Sequence, residues 1–379
     1  MSDSSAIFRQ EHADAHTRAR TGTMFLPHGE VQTPAFMPVG TNATVKAMTK
    51  DWLSEIGFQI ILANTYHLYL RPGVECIRAA GGLHGFSGWK GNFLTDSGGY
   101  QVFSLSSFRK ITREGVKFRS HIDGSTHFLT PESVVGLQAG FNSDIQMQLD
   151  VCTGFGTEWK KAKEALVITN DWASRAKKAW LASDESYSGK LFAIVQGNFF
   201  RDLRKESVDS VLELDTPGIA IGGLSVGEPR DVYAEFLELS AENLPEDKPR
   251  YVMGIGTPDY ILDAVYHGID IFDCVLPTRN ARNGSYFTKD GSINIKKECH
   301  ARDFGPIDPE CGCRVCREYS RSYLRHLYKN DEILSSMLAS YHNLAFLHGM
   351  MREIREAIAN GSFGAYRDRF LRRFSGGAE

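Results

Sequence analysis

The stretch GIDIFDCVLPTRNARNG, residues 268–284, runs from a short, mostly apolar segment, Ile269 to Phe272, into Asp273 and Cys274, then into a loop carrying Arg279 and Arg282. A segment of that length, bounded by Gly268 on one side and polar residues on the other, reads as a buried strand with a carboxylate at its C-terminal tip. It is the last of eight such segments. The others are PAFMPV (34–39), QIILA (59–63), NFLT (92–95), DIQMQL (144–149), LFAIV (191–195), GIAI (218–221) and RYVMG (250–254). Amphipathic stretches separate them. The clearest is 158–181, where Ala162, Ala165, Leu166, Thr169, Trp172, Ala173, Ala176 and Trp180 fall on one helix face. Thr130-Pro131 opens another, with a capping residue before a proline at the first helical position.

Eight strands alternating with helices meet the requirement of an α/β fold of the (β/α)8 TIM-barrel type. A doubly wound sheet uses five or six strands and a Gly-rich fingerprint after the first, and none follows residue 39. Two segments interrupt the alternation. Residues 108–129 read as a hairpin with Asp123-Gly124 as its turn. Residues 280–330 are polar, cysteine-rich and locally basic, which reads as a small insertion after the eighth strand. The expected division is a barrel over 1–275, a cysteine-rich insertion over 276–330, and C-terminal helices over 331–379.

With 379 residues, 42% of them hydrophobic, the chain is long enough to bury a large core. Its net charge of -3 argues against general coating of nucleic acid or of anionic membranes, so any contact with phosphates must be local. The polar N-terminus has no apolar segment of signal-peptide type, and no run of about 18 apolar residues occurs. A cytoplasmic protein with no membrane contact is the expectation. Seven cysteines, three of them in CGCRVC, fit metal binding in a reducing compartment better than a disulfide framework.

Barrel enzymes build their sites from the C-terminal ends of the strands. Here strand three ends in Asp96, strand four in Asp150, strand five in Gln196, strand six in Gly222-Gly223, strand seven in Gly254 after Met253, and strand eight in Asp273. A single such aspartate is more often a helix cap or a solvated loop residue. Three with a glutamine at one barrel mouth shift the weight to chemistry. Two carboxylates can divide the cleavage of a glycosidic bond, one attacking the anomeric carbon while the other handles protons. A third, with Gln196, suits the hydrogen-bonding edge of a flat heterocycle, Gly223 admits its close approach, and Tyr100 and Met253 can cover its faces. Taken singly, Tyr100 and Met253 read as core packing. Cys274 acquires no role beyond a small buried residue.

Cys311, Cys313 and Cys316 within six residues call for a soft tetrahedral ion and one further ligand, a single structural Zn2+. Cys299, His300, His326, His342 and His348 compete for the fourth place. Four protein ligands leave no open position for water, so this metal is structural and not catalytic.

The chain resembles the tRNA-guanine transglycosylase (queuine tRNA-ribosyltransferase) family. GTNATVKAM, ANTYHLYLRPG, TDSGGYQVFSL, QLDVC, VQGN, GGLSVGEP, MGIGTP, DCVLPTRNARNG, CGCRVC and SYHNL occur in family order, from about Phe8 to Phe374. The resemblance implies a pentosyltransferase that removes guanine from the wobble position of tRNAs with a GU(N) anticodon and installs a 7-substituted 7-deazaguanine. Asp273 is then the nucleophile that forms a covalent tRNA intermediate and Asp96 the general acid/base. Asp150, Gln196, Gly222, Gly223, Leu224, Met253 and Gly254 line the base site with Tyr100 and Cys152, and Arg279 and Arg282 lie near the anticodon-loop backbone. His342 becomes the fourth zinc ligand. Cys152 and Val226 resemble the bacterial branch, which takes preQ1, while Tyr100 stands where many relatives have Phe. Family members commonly form homodimers. The alternatives are a non-catalytic tRNA-binding partner subunit, which should lack one of the three aspartates, and a barrel zinc hydrolase, which CGCRVC does not fit.

Overall fold

The computed structural model describes residues 6–105 and 108–376. Its centre is an eight-stranded parallel sheet: β1 (Ala35–Pro38), β2 (Ile60–Ala63), β3 (Asn92–Thr95), β4 (Ile145–Met147), β5 (Lys190–Val195), β6 (Gly218–Ile221), β7 (Arg250–Val252) and β8 (Ile271–Cys274). Each strand pairs with the next in sequence, β8 pairs with β1, and a bridge between Val39 and Leu62 joins β1 to β2. The sheet therefore closes into the expected barrel.

Alternation along the strands sorts side chains into two layers, because successive residues point to opposite faces. Leu62, Leu94, Ile145, Met147, Phe192, Ile194, Ala220, Tyr251 and Ile271 fill the interior. Ile61, Phe93, Ala193, Val195, Ile219, Ile221, Val252 and Phe272 face the surrounding helices. Both faces are buried, which is why the strands read as continuous apolar runs.

Three differences from the sequence expectations bear on the site. β8 spans Ile271–Cys274, two residues later than the expected 269–272, so Asp273 lies within the strand and pairs in register with Met37. Just before the strand, Asp270 already bonds through its backbone to Ala35 and Arg250, and its carboxylate is held by Arg20. Residues 108–129 are a three-stranded antiparallel sheet (Arg109–Ile111, Val116–Arg119, Thr126–Leu129) in place of a simple hairpin. The tight turn is at Arg113-Glu114-Gly115, while Asp123-Gly124 sits in a six-residue loop between the second and third strands. An antiparallel sheet that the sequence reading did not anticipate (Phe8–Ala13, Arg20–Leu26, Gly29–Thr33) plugs the barrel floor, adding Phe8, Met24, Leu26 and Val31 to the interior cluster.

The helix expected over 158–181 is Trp159–Leu181, and Thr130 caps Pro131–Gly140 through a reciprocal bond with Ser133. After β8, a short helix (Leu276–Arg282) leads to a hairpin (Ser285–Thr288, Gly291–Asn294), the helices Arg314–Glu318 and Arg321–Lys329, and a long helix, Ile333–Ala359. Among the described residues no helix is long and apolar enough to cross a membrane.

Candidate active site

A cavity of about 290 Å³ opens at the C-terminal ends of the strands, at the lower end of the size usual for small-molecule sites. It gathers Asp96, Tyr100, Asp150, Cys152, Gln196, Gly222, Gly223, Leu224, Met253, Gly254, Asp273 and Arg279. Arg282 is not among its lining residues; its guanidinium turns back to donate to the Thr278 carbonyl at 2.9 Å.

Each carboxylate is held by neutral donors. Asp96 accepts from the Asn64 amide at 2.5 Å and the Thr65 N–H at 2.9 Å, while the Thr65 hydroxyl donates to the Asp96 carbonyl. Burial pushes the Asp96 carboxyl up to about 6, against the pull of Asn64 and Thr65 and with a smaller push from the Asp273 charge. Asp150 accepts from the Gln196 amide at 2.7 Å and more distantly from Ser97. Its carboxyl is likewise raised to about 6, chiefly by burial. Asp273 accepts from the Tyr251 hydroxyl at 2.5 Å and the Gly254 N–H at 2.8 Å. Burial raises its pKa and these two bonds oppose the rise. Two carboxyls near 6 and a third raised, with the Asp96 group sensing the Asp273 charge, is the pattern expected where one group gives a proton and another stays ionised.

The opposite wall is a tight floor. A Cβ on Gly223 would meet Gln196 Oε1 at 2.5 Å, and its φ of +68° already favours glycine. Beneath it lies Arg204, fully buried, which donates to the carbonyls of Asn198 and Gly222 at 2.8 Å and of Gly223 at 3.3 Å. The Glu228 carboxylate accepts from the N–H groups of Ser225 and Val226, fixing the turn after Leu224. Cys152 is a neutral thiol, pushed up to about 12 by burial and then by Asp150. Tyr100 is half exposed at the lip, and Met253 is half-buried at the end of β7.

Several of these supports escaped the sequence reading. Tyr251 reads as core because it sits inside an apolar run, and nothing in the helical pattern of Arg201–Leu214 marks Arg204. Asn64 had a signal: it follows the last residue of β2, the position inspected on the later strands.

A family model described as "Queuine tRNA-ribosyltransferase" matches residues 14–376. The chain belongs to the queuine tRNA-ribosyltransferase family. It is 63% identical over 374 residues to the queuine tRNA-ribosyltransferase of Treponema denticola, covering 99% of each chain. It is 54% identical over 364 residues to that of Borrelia hermsii, covering 96% of this chain and 97% of the relative. For that of Caldanaerobacter subterraneus the identity is 52% over 366 residues, covering 97% of each. Membership makes the chain a transferase of tRNA modification.

The family resemblance also named four metal ligands, and the structure brings them together. Cys311, Cys313, Cys316 and His342 place their ligand atoms within 4.8 Å of one another. His342 Nδ1 is 3.5 Å from Cys313 Sγ and 3.3 Å from Cys316 Sγ. Its Nε2 lies 2.7 Å from the Phe287 carbonyl, which assigns the proton there and turns the Nδ1 lone pair to the sulfurs. Bonds from the Cys311 and Cys316 side chains hold the Cys313 thiol well below its usual range. Ligand arms of about 2.0–2.3 Å give tetrahedron edges of about 3.3–3.8 Å, which the two His342–sulfur distances match, so the cluster could hold one metal ion. Of the other contenders, His348 packs edge-on against Phe58 and His300 faces Asp303.

Proposed function

We propose that the chain is a tRNA-guanine transglycosylase that exchanges the wobble guanine of tRNAs with a GU(N) anticodon for preQ1, 7-aminomethyl-7-deazaguanine, with retention at the anomeric carbon. The observation that carries this reading is the convergence of Asp273, aimed by Tyr251 and Gly254, and Asp96, kept protonatable near neutral pH, on one cavity floored by Asp150, Gln196 and Gly223.

An Asp273 oxygen attacks ribose C1′ as the C1′–N9 bond breaks, and the electron pair leaves with guanine, which takes a proton from Asp96. The products are a ribosyl ester on Asp273 and free guanine. PreQ1 then enters the same floor, gives its N9 proton to Asp96, and attacks C1′, releasing Asp273 as a carboxylate. Two inversions give retention. Asp150 and Gln196 hold the base edge, with Gly222, Gly223, Leu224 and Gly254 as close backbone neighbours. Tyr100 and Met253 cover the ring faces and Cys152 lines the pocket. Arg279 and Arg282 serve the anticodon-loop phosphates. In this reading, residues 1–275 form the barrel, 276–330 the metal-binding insertion, and 331–379 the helices that complete both, in a cytoplasmic homodimer. Cys311, Cys313, Cys316 and His342 hold one Zn2+, which ties the insertion to the long helix.

Purified protein should incorporate labelled guanine into unmodified tRNA, and preQ1 should compete better than queuine. Incorporation of neither base would favour the partner-subunit alternative. Cys316→Ser should lose most of the bound zinc and lower the melting temperature, and unchanged metal content would remove the site as drawn.

A further inference from the structure

The sheet inserted between β3 and Pro131–Gly140 carries charge that the cavity chemistry does not use. Residues 108–129 hold five cations, Arg109, Lys110, Arg113, Lys117 and Arg119, against Glu114 and Asp123, in a chain of net charge -3. Strand register puts Lys110 directly opposite Lys117, and Lys117 opposite Phe128, with Arg119 opposite Thr126 in the next row. These residues are all exposed, while the alternate positions Val116, Phe118 and Leu129 are buried, so one face is basic and aromatic and the other packs inward.

Like charges directly opposite across two strands destabilise a sheet. Among the described residues neither Lys110 nor Lys117 is in an ion pair that would relieve this. The sheet is also anchored to the elements around it. Trp172 Nε1 and Arg175 both donate to the Arg113 carbonyl at 2.7 Å, and the hydroxyls of Tyr66 and Tyr69 bond to His121 and His127 at 2.9 Å. From the cavity lip, the ring of Tyr100 lies 6.3 Å from that of Phe103, and the Arg109 guanidinium sits 4.2 Å over Phe103, so the sheet adjoins the lip through Arg109, on the side opposite to Lys110 and Lys117.

We propose that this outer face is a second contact surface for the RNA substrate, taking unpaired nucleotides beside the one whose base enters the cavity. Phosphates neutralise Lys110 and Lys117, and a base lies on Phe128. Cationic tracks interleaved with aromatic platforms are how unpaired strands are held without base pairing, and the opposed lysines gain their counter-charge only when the strand is bound. The inference rests on the tRNA reading above and extends it to a surface outside the cavity.

The test uses the full-length protein and an unmodified tRNA transcript with a GUN anticodon. Lys110→Glu combined with Lys117→Glu should raise the KM for tRNA at least about tenfold at low salt. The slope of log affinity against log salt should flatten by about 1.4, at about 0.7 per phosphate contact on a single strand. The kcat at saturating tRNA and the KM for the free base should not move, and Lys110→Arg with Lys117→Arg should behave as wild type. In the unaltered protein, bound tRNA should shield both lysines from an amine-acetylating reagent. An unchanged KM and salt slope, or acetylation that tRNA does not slow, would overturn the proposal while leaving base exchange intact. A wild-type protein that exchanges no base would bring down the tRNA reading and this inference with it.

Discussion

Two strands of this barrel carry an aspartate at each end, and the two ends are treated in opposite ways. β8 lies between Asp270 on the floor and Asp273 at the mouth, and β4 between Asp144 and Asp150. On the floor, Asp270 is 0% exposed and takes Arg20 bidentately at 2.6 and 3.0 Å, with the Arg250 N–H as a third donor. Asp144 receives the Phe93 N–H and the His28 ring at 2.6 Å, while His84 Nε2, bonded to the Gly91 carbonyl at 3.1 Å, lies 3.2 Å away and the two imidazoles stack. Those rings lie 3.5 Å apart at 16°, so their in-plane lone pairs do not converge on one ion. At the mouth, Asp96, Asp150 and Asp273 have only neutral donors, and among the described residues none of them is in an ion pair. The Asp270 charge is compensated by Arg20, and the Arg20–Asp270 and His28–Asp144 contacts hold the plug to the barrel. Mouth charges are left costly, which keeps their protons exchangeable and their oxygens available to a substrate.

That contrast is broken most severely at β8. Asp273→Asn should lower base exchange by at least about 10⁴-fold, the scale of losing a nucleophile, with the melting temperature held or raised. Asp270→Asn should instead cost about 3–5 kcal/mol of stability, because it strands a buried guanidinium, while the remaining folded protein keeps its turnover. A denaturant titration beside the exchange assay separates the two. If Asp270→Asn abolished turnover at full stability, the division between floor and mouth would be wrong.

Tyr251→Phe has a smaller effect. Its hydroxyl favours the ionised form of Asp273, so its removal should move the acid-side fall in exchange to higher pH and lower the rate on that side of the profile. A pH profile that does not move would leave Tyr251 as packing. Asp150→Asn should give the smallest change in stability. With a folded pKa near 6 and a lower one in the unfolded chain, the native protein binds more protons between about pH 4 and 6, and stability falls as pH rises through that window. At neutral pH the substitution should therefore stabilise by about 1–2 kcal/mol while weakening base binding. A lower melting temperature at pH 7 would mean that Asp150 is not a strained group.

Much of the mouth was legible because the signal is local. An apolar run ending in a carboxylate, amide or glycine needs no partner to be read, and Asp96, Asp150, Gln196, Gly223 and Asp273 share one cavity. The floor was not legible. Arg20 and Asp270 are 250 residues apart, and Phe8–Ala13 is exposed at every position but the first, so it shows no alternation to mark a strand. Arg204 and Tyr251 act through groups brought to them by closure of the sheet, which sequence spacing does not encode. The 108–129 segment reads as one hairpin because Asp123-Gly124 is a strong turn signal, whereas the first turn rests on Gly115, where a Cβ would lie 2.2 Å from the Leu129 carbonyl oxygen.

The central claim is that Asp273 becomes covalently bound to the substrate while Asp96 moves the proton. Incubating the wild-type protein with an unmodified GUN tRNA transcript and separating the mixture under denaturing conditions should show a tRNA-linked species. That species should vanish in Asp273→Asn and be discharged by preQ1. Its formation should slow as pH rises above about 6, where Asp96 loses its proton. A covalent adduct that persists in Asp273→Asn would contradict the account.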